Sequence, residues 1–257
     1  MGGFSFASVI LSYFLAAGGL LTGGLLIGYT KQTNEVVVLA LFAVGSFLGG
    51  FVAARASRGS TIIEPAIGTI ALAATILLVL LGTDAKQLVW HSGEVTGAGK
   101  AIAEVVGALV VGALVGAFLS EKILGEATES SIPWIFYAAL TGFGATVVGA
   151  FIAYVLFAKH GGGSEEKLGT MGLAGIGIGT LLAGLAVGAS ARTRPLIAAL
   201  LGGAIGSAGF ALLSAKASGQ ASDSDLPKVI AVFGVLGGVV MLIGALGGWY
   251  TFGKRNA

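Results

Sequence analysis

Long apolar runs alternate with short polar breaks from one end of the chain to the other. Eight runs stand out, at approximately 5–29, 36–55, 62–82, 101–120, 133–158, 170–190, 195–215 and 228–251. Each reaches the ~20 residues that an α-helix needs to cross roughly 30 Å of hydrocarbon. The breaks are compact: Lys31 to Glu35, Arg55 to Ser60, Thr83 to Lys100, Glu121 to Ser131, Lys159 to Lys167, Arg192 to Arg194, and Lys216 to Lys228. Outer-membrane strands run about 10 residues with alternating polarity. These runs are about twice that length and do not alternate, so they predict helices. The first run has no Lys or Arg before it and is too long for a signal-peptide core of about 7–15 residues. It is expected to be a retained helix. The pattern therefore predicts an all-α membrane protein with about eight transmembrane helices.

Composition narrows the class. Glycine supplies 45 of 257 residues, and charged residues make up 10% against an ordinary ~25%. Mean hydropathy is +0.97. These values exclude a soluble globular enzyme, a disordered chain and a nucleic-acid-binding module. Collagen is excluded as well, because glycine has no three-residue period and there are 4 prolines. The absence of cysteine removes disulfides, cysteine metal sites and thiol catalysis. His91 and His160 are too far apart in sequence to imply a metal cluster.

Charge orients the chain. With the N-terminus inside, the inner breaks carry Arg55, Arg58, Lys122, Arg192, Arg194, Lys254 and Arg255. The outer breaks carry Lys31, Lys86, Lys100, Lys159, Lys167, Lys216 and Lys228. The totals tie, but every Arg falls on one side, and basic residues favour the cytoplasmic face. Both termini are expected in the cytoplasm, with the protein in a bacterial cytoplasmic (inner) membrane.

The spans also repeat. Gly45-Ser46-Phe47-Leu48-Gly49-Gly50-Phe51-Val52-Ala53 aligns with Gly179-Thr180-Leu181-Leu182-Ala183-Gly184-Leu185-Ala186-Val187. The match continues without a gap from Arg58 to Arg192, Ile63 to Ile197 and Gly68 to Gly202. Upstream, Gly24 to Tyr29 resembles Gly149 to Tyr154, with a shorter shift. This predicts a four-plus-four duplication, with repeats at 1–131 and 132–257 in one membrane domain. An even number of spans per repeat gives both halves the same orientation, hence a parallel repeat about the membrane normal.

Glycine pairs four residues apart recur in almost every run, including Gly19 and Gly23, Gly45 and Gly49, Gly112 and Gly116, and Gly244 and Gly248. Such pairs lie on one helix face and allow close backbone approach where lipid offers no hydrophobic drive. A tightly packed Gly-rich bundle is expected, with some faces left for other membrane subunits or for self-association. Through Gly49-Gly50-Phe51-Val52-Ala53-Ala54-Arg55 at a helix end, each half resembles small Gly-rich four-helix bacterial membrane proteins of unknown function. That resemblance implies a fold type and no activity. Gly172 to Gly179 with Arg192 also looks like the hairpin of rotary ATPase ring subunits. The following helix, Pro195 to Ser214, lacks the acid such a rotor needs.

Ionisable residues within spans are functional candidates. Glu64 precedes Pro65 at the start of the third run, and Glu104 lies near the start of the fourth. Glu64 either caps its own helix or pairs with Arg55 or Arg58. The functional alternative is an ion path involving Glu64 and Glu104. The hydroxyls of Thr22, Ser46, Thr69, Thr75, Thr141, Thr146 and Thr180 are expected to bond to their own helix backbones, and Ser46 and Thr180, matched by the repeat, to share a packing role. No nucleotide loop, nucleophile elbow or haem-ligating pattern is present in the sequence, so no catalytic residue and no cofactor is expected. The leading expectation is a non-enzymatic structural or assembly subunit in contact with the lipid bilayer. The alternative is a small transporter or channel with a path between the two halves.

Overall fold

A computed structural model shows an all-α bundle. It describes residues 5–30, 34–56, 62–82, 95–124, 131–159, 164–190, 194–218 and 225–251. The helices are α1 (Phe6–Thr30), α2 (Glu35–Ala56), α3 (Ile63–Gly82), α4 (Val95–Leu124), α5 (Ser131–Lys159), α6 (Glu165–Ser190), α7 (Pro195–Ser218) and α8 (Leu226–Thr251). Among the described residues, all but α3 contain a window long and apolar enough to cross a membrane, and α3 adds the shorter apolar stretch Ile63–Leu78. The chain is a multi-pass, all-helical membrane protein.

Local chemistry sets the helix starts. Asn34 Oδ1 accepts the amides of Val36 and Val37, at 3.0 and 3.4 Å, and so caps α2. Ser164 Oγ accepts from Lys167 N and caps α6. Pro65, Pro195 and Pro227 sit in the first turns of α3, α7 and α8, where a missing amide costs nothing. Helices α4 and α6 begin several residues before their apolar runs. Apolar length measures the hydrocarbon crossed, whereas helix length includes turns in the interface.

Radial distribution is set by size. The buried residues are mainly small, including Ala16, Ala17, Ala138, Ala145, Ala183 and Ala186, while Val235, Ile243, Ile178 and Leu78 point outward. Lipid tails are as apolar as leucine, so large side chains lose nothing at the surface, and small residues bring backbones together inside.

In the first four helices, α1 packs on α2 and α3, and α4 packs on α2 and α3. In the last four, α5 packs on α6 and α7, and α8 packs on α6 and α7. Each set thus closes into a four-membered ring in the same order. The sets meet mainly where α1 packs on α5 and α6. Gly19 and Gly45 join α1 to α2, and a Cβ on either would overlap the carbonyl oxygen of the other. Gly149 and Gly175 join α5 to α6 in the same reciprocal way. At the seam, a Cβ on Gly18 would lie 2.5 Å from Leu140 O, and one on Gly144 would overlap Phe14 O. The Arg58–Arg192 match and the loop histidines, His91 and His160, lie outside the described residues.

Candidate functional site

The candidate site grows from the start of α1. Ser5 O accepts from Val9 N at 3.2 Å, which makes Ser5 the N-cap residue. Its Oγ accepts from Ser8 N at 3.3 Å. In a complete capping box the side chain at Ser8's position would take the N–H of Ser5. Serine has no carboxylate to do so, and the acceptor comes from another helix. Glu64 Oε1, in the first turn of α3, accepts from Ser5 N at 2.7 Å.

Glu64 is fully buried in the chain, as is Ser8 to within 1%. Close approach of α1 and α3 allows this. A Cβ on Gly68, one turn beyond Glu64, would lie 2.7 Å from Ser12 Cβ and 2.8 Å from Tyr13 N. Ser12 Oγ donates to Ser8 O at 2.6 Å, while Ser8 Oγ is buried without a hydrogen-bond partner. The site therefore contains a carboxylate bonded to a backbone amide and a neighbouring hydroxyl left over.

The other residues singled out from sequence stand differently. Arg55 lies in the last turn of α2, and its Nη1 is buried without a hydrogen-bond partner. Arg58 lies outside the described residues. Glu104 is half-buried on α4. The role of Ser5 escaped sequence reasoning. Its signal, a serine three residues before Ser8 at a run's start, marks a cap but says nothing of the acid 59 residues away. No group of three His, Asp or Glu residues able to hold a metal exists among the described residues.

Hydroxyls deeper in the bundle mostly turn back on their own helices. Thr22, Thr69, Thr75, Thr141, Thr146 and Thr180 each donate to the carbonyl four residues earlier, at 2.6–2.9 Å. Ser46 departs from the expectation, because it donates across to Leu109 O of α4. Serine's short side chain faces a neighbouring carbonyl there, whereas Thr180 bonds within α6. The two matched hydroxyls therefore do not play the same role.

A cavity of about 410 Å³ opens between α1, α5 and α6, with Tyr13, Phe14, Ile152, Ala174, Ile178 and Leu182 among its walls. The hydroxyl of Tyr13 is occupied by Thr75 Oγ1 at 3.2 Å. No protein-family model, curated protein or solved structure matches the chain.

Proposed function

We propose that the protein is a non-enzymatic structural or assembly subunit of a bacterial cytoplasmic membrane, built as two parallel four-helix repeats, 1–131 and 132–257, locked by glycine pairs. In this reading each half is akin to the small glycine-rich four-helix membrane proteins it resembles. The repeat is supported by contact register. The shift that carries Gly45 to Gly179 in the sequence also carries Gly68 to Gly202. Gly68 abuts Ser12 and Tyr13 on α1, and Gly202 abuts Ala138 and Ala139 on α5. A second shift, one residue longer than the one that carries Gly24 to Gly149, relates those two pairs to each other and carries Gly18 and Phe14 to Gly144 and Leu140, the residues in reciprocal contact at the seam.

The observation that carries the functional reading is this seam. Between α1 and α5, where a path between halves would run, Gly18 meets the Leu140 carbonyl and Gly144 meets the Phe14 carbonyl. Backbone against backbone leaves no hydrated lane at that point. The hydroxyl hydrogens of Thr22, Thr69, Thr141 and Thr180 go to carbonyls of their own helices and are not free to replace a solute's water shell.

Affinity purification from native membranes, read by mass spectrometry, should recover other membrane subunits in fixed ratio. Proteoliposomes of the purified protein should show no more solute flux than empty vesicles. Solute-dependent flux would overturn the proposal and favour the alternative, a small transporter or channel, which the buried carboxylate of Glu64 supports. Reporter fusions at Ala257 and within 159–168 should report opposite sides, with Ala257 cytoplasmic. The same side for both refutes the eight-span count.

A further inference from the structure

We propose that the cavity between α1, α5 and α6 is a binding site for one acyl chain of a bilayer phospholipid. Every wall residue lies within an apolar membrane-spanning window: Tyr13 and Phe14 in Phe6–Gly23, Ile152 in Ile135–Ala153, and Ala174, Ile178 and Leu182 in Gly169–Ser190. The medium at the mouth is therefore hydrocarbon, and the occupant comes from it.

The chemistry of the walls selects the same occupant. They carry no charged side chain, and the one hydroxyl among them, on Tyr13, is already bonded to Thr75. A polar solute would lose its hydration without replacement. Apolar cavities of this kind stay dry and take up apolar molecules. The volume, about 410 Å³, lies within the roughly 300–1,000 Å³ of small-molecule sites.

The site is built rather than a chance gap. Gly149 and Gly175 bring α5 and α6 together backbone to backbone at its floor. Ile178 is 61% exposed and Leu182 42% exposed, so the rim is open to lipid. Tyr13 and Phe14 wall the opposite side, their rings edge to face with centroids 5.2 Å apart. A flexible chain fits an opening between three helices with a rigid aromatic wall, and it would tie α1 to the α5–α6 pair.

The test uses the full-length protein in vesicles of phosphatidylethanolamine and phosphatidylglycerol, with a trace of phosphatidylcholine bearing a photoactivatable diazirine on one acyl chain. After irradiation, peptide mass spectrometry should find several-fold more lipid adducts at Ile152, Ala174, Ile178 and Leu182 than at Val235 and Ile243. Those two α8 residues are comparably exposed, at 65% and 55%. Ala174 lies on the exposed rim, so Ala174→Phe fills the cavity without entering the core and should bring its adducts down to the α8 level. Val235→Phe should leave the excess intact. Uniform labelling in the unsubstituted protein overturns the site, as does an excess that survives Ala174→Phe. Protection of these residues together with crosslinks between two copies at Ile178 also overturns it, in favour of a second copy as occupant.

Discussion

Helices α7 and α8 meet through glycine, whereas among the described residues α3 and α4 do not. A Cβ on Gly203 would lie 2.6 Å from Gly237 O, and one on Gly237 would overlap the Ser207 side chain. Gly116 beside the Phe47 carbonyl and Gly244 beside the Leu181 carbonyl set α4 against α8 in the proposed repeat, and at the positions so matched to Gly203 and Gly237 the first half carries Thr69 and Leu109, each 2% exposed. Gly206 likewise faces Leu72 in that matching. Accordingly α3 packs on α4 less extensively than α7 packs on α8. In the first half the close approaches are elsewhere: α4 leans on α2 through Gly112 and Gly116, and α3 on α1 through Gly68. On the proposed repeat, ring order is kept while three side chains loosen one joint.

The largest effect should follow from carrying the first half's residue into the second. Gly237→Leu puts Leu109's side chain where Ser207 and the Gly203 carbonyl already stand. Overpacking costs about 1–3 kcal/mol, and more where backbone cannot yield, so thermal unfolding in detergent should shift strongly downward. Gly247→Leu, on the same helix with nothing within 4 Å of its added Cβ, should unfold like the parent. Equal stability of the two variants would show that the α7–α8 joint is not tight.

A smaller effect is expected at the buried acid, which Ala198 replaces in the matched position. Glu64→Gln replaces a charge-assisted bond to Ser5 N and should cost about 1.5–3 kcal/mol at most, read as a lower melting temperature without any transport phenotype. Normal stability with lost ion- or proton-coupled flux would instead mark Glu64 as part of a path and overturn the structural reading of the whole chain.

The smallest effect should have the opposite sign. Ser8 Oγ is buried with no hydrogen-bond partner, and burying a lone hydroxyl costs about 1–3 kcal/mol. Ser8→Ala should raise the melting temperature. Ser12→Ala, which copies Ala138 at the matched position, removes a bond to Ser8 O and should lower it slightly. A loss of stability in Ser8→Ala would reveal a partner for that hydroxyl.

The helices were legible because a membrane span is a one-dimensional signal: apolar length alone predicts it, and the ends of α2, α3 and α7 fall within a few residues of their runs. The partner of each glycine was not legible. Gly19 and Gly244 each open a four-residue glycine pair, yet one meets Gly45 O of α2 and the other Leu181 O of α6. That difference depends on which helix lies opposite, and in hydrocarbon a uniformly apolar helix carries no stripe to tell its inner face from its outer. The candidate site was half legible. Pro65 beside Glu64 marked a helix start near an acid, but the bond runs to Ser5 on α1, because the approach at Gly68 sets the reach of that carboxylate.

The reach from Ser5 to Glu64 also has a meaning in time. A ribosome makes α1 before α3, and the acceptor for the leading amide of α1 is synthesised 59 residues later. Until α3 is made, the Ser5 amide lacks the acceptor it has in the finished bundle. Arrival of α3 brings the Glu64 carboxylate to that amide, so the start of an earlier helix is finished by a later one.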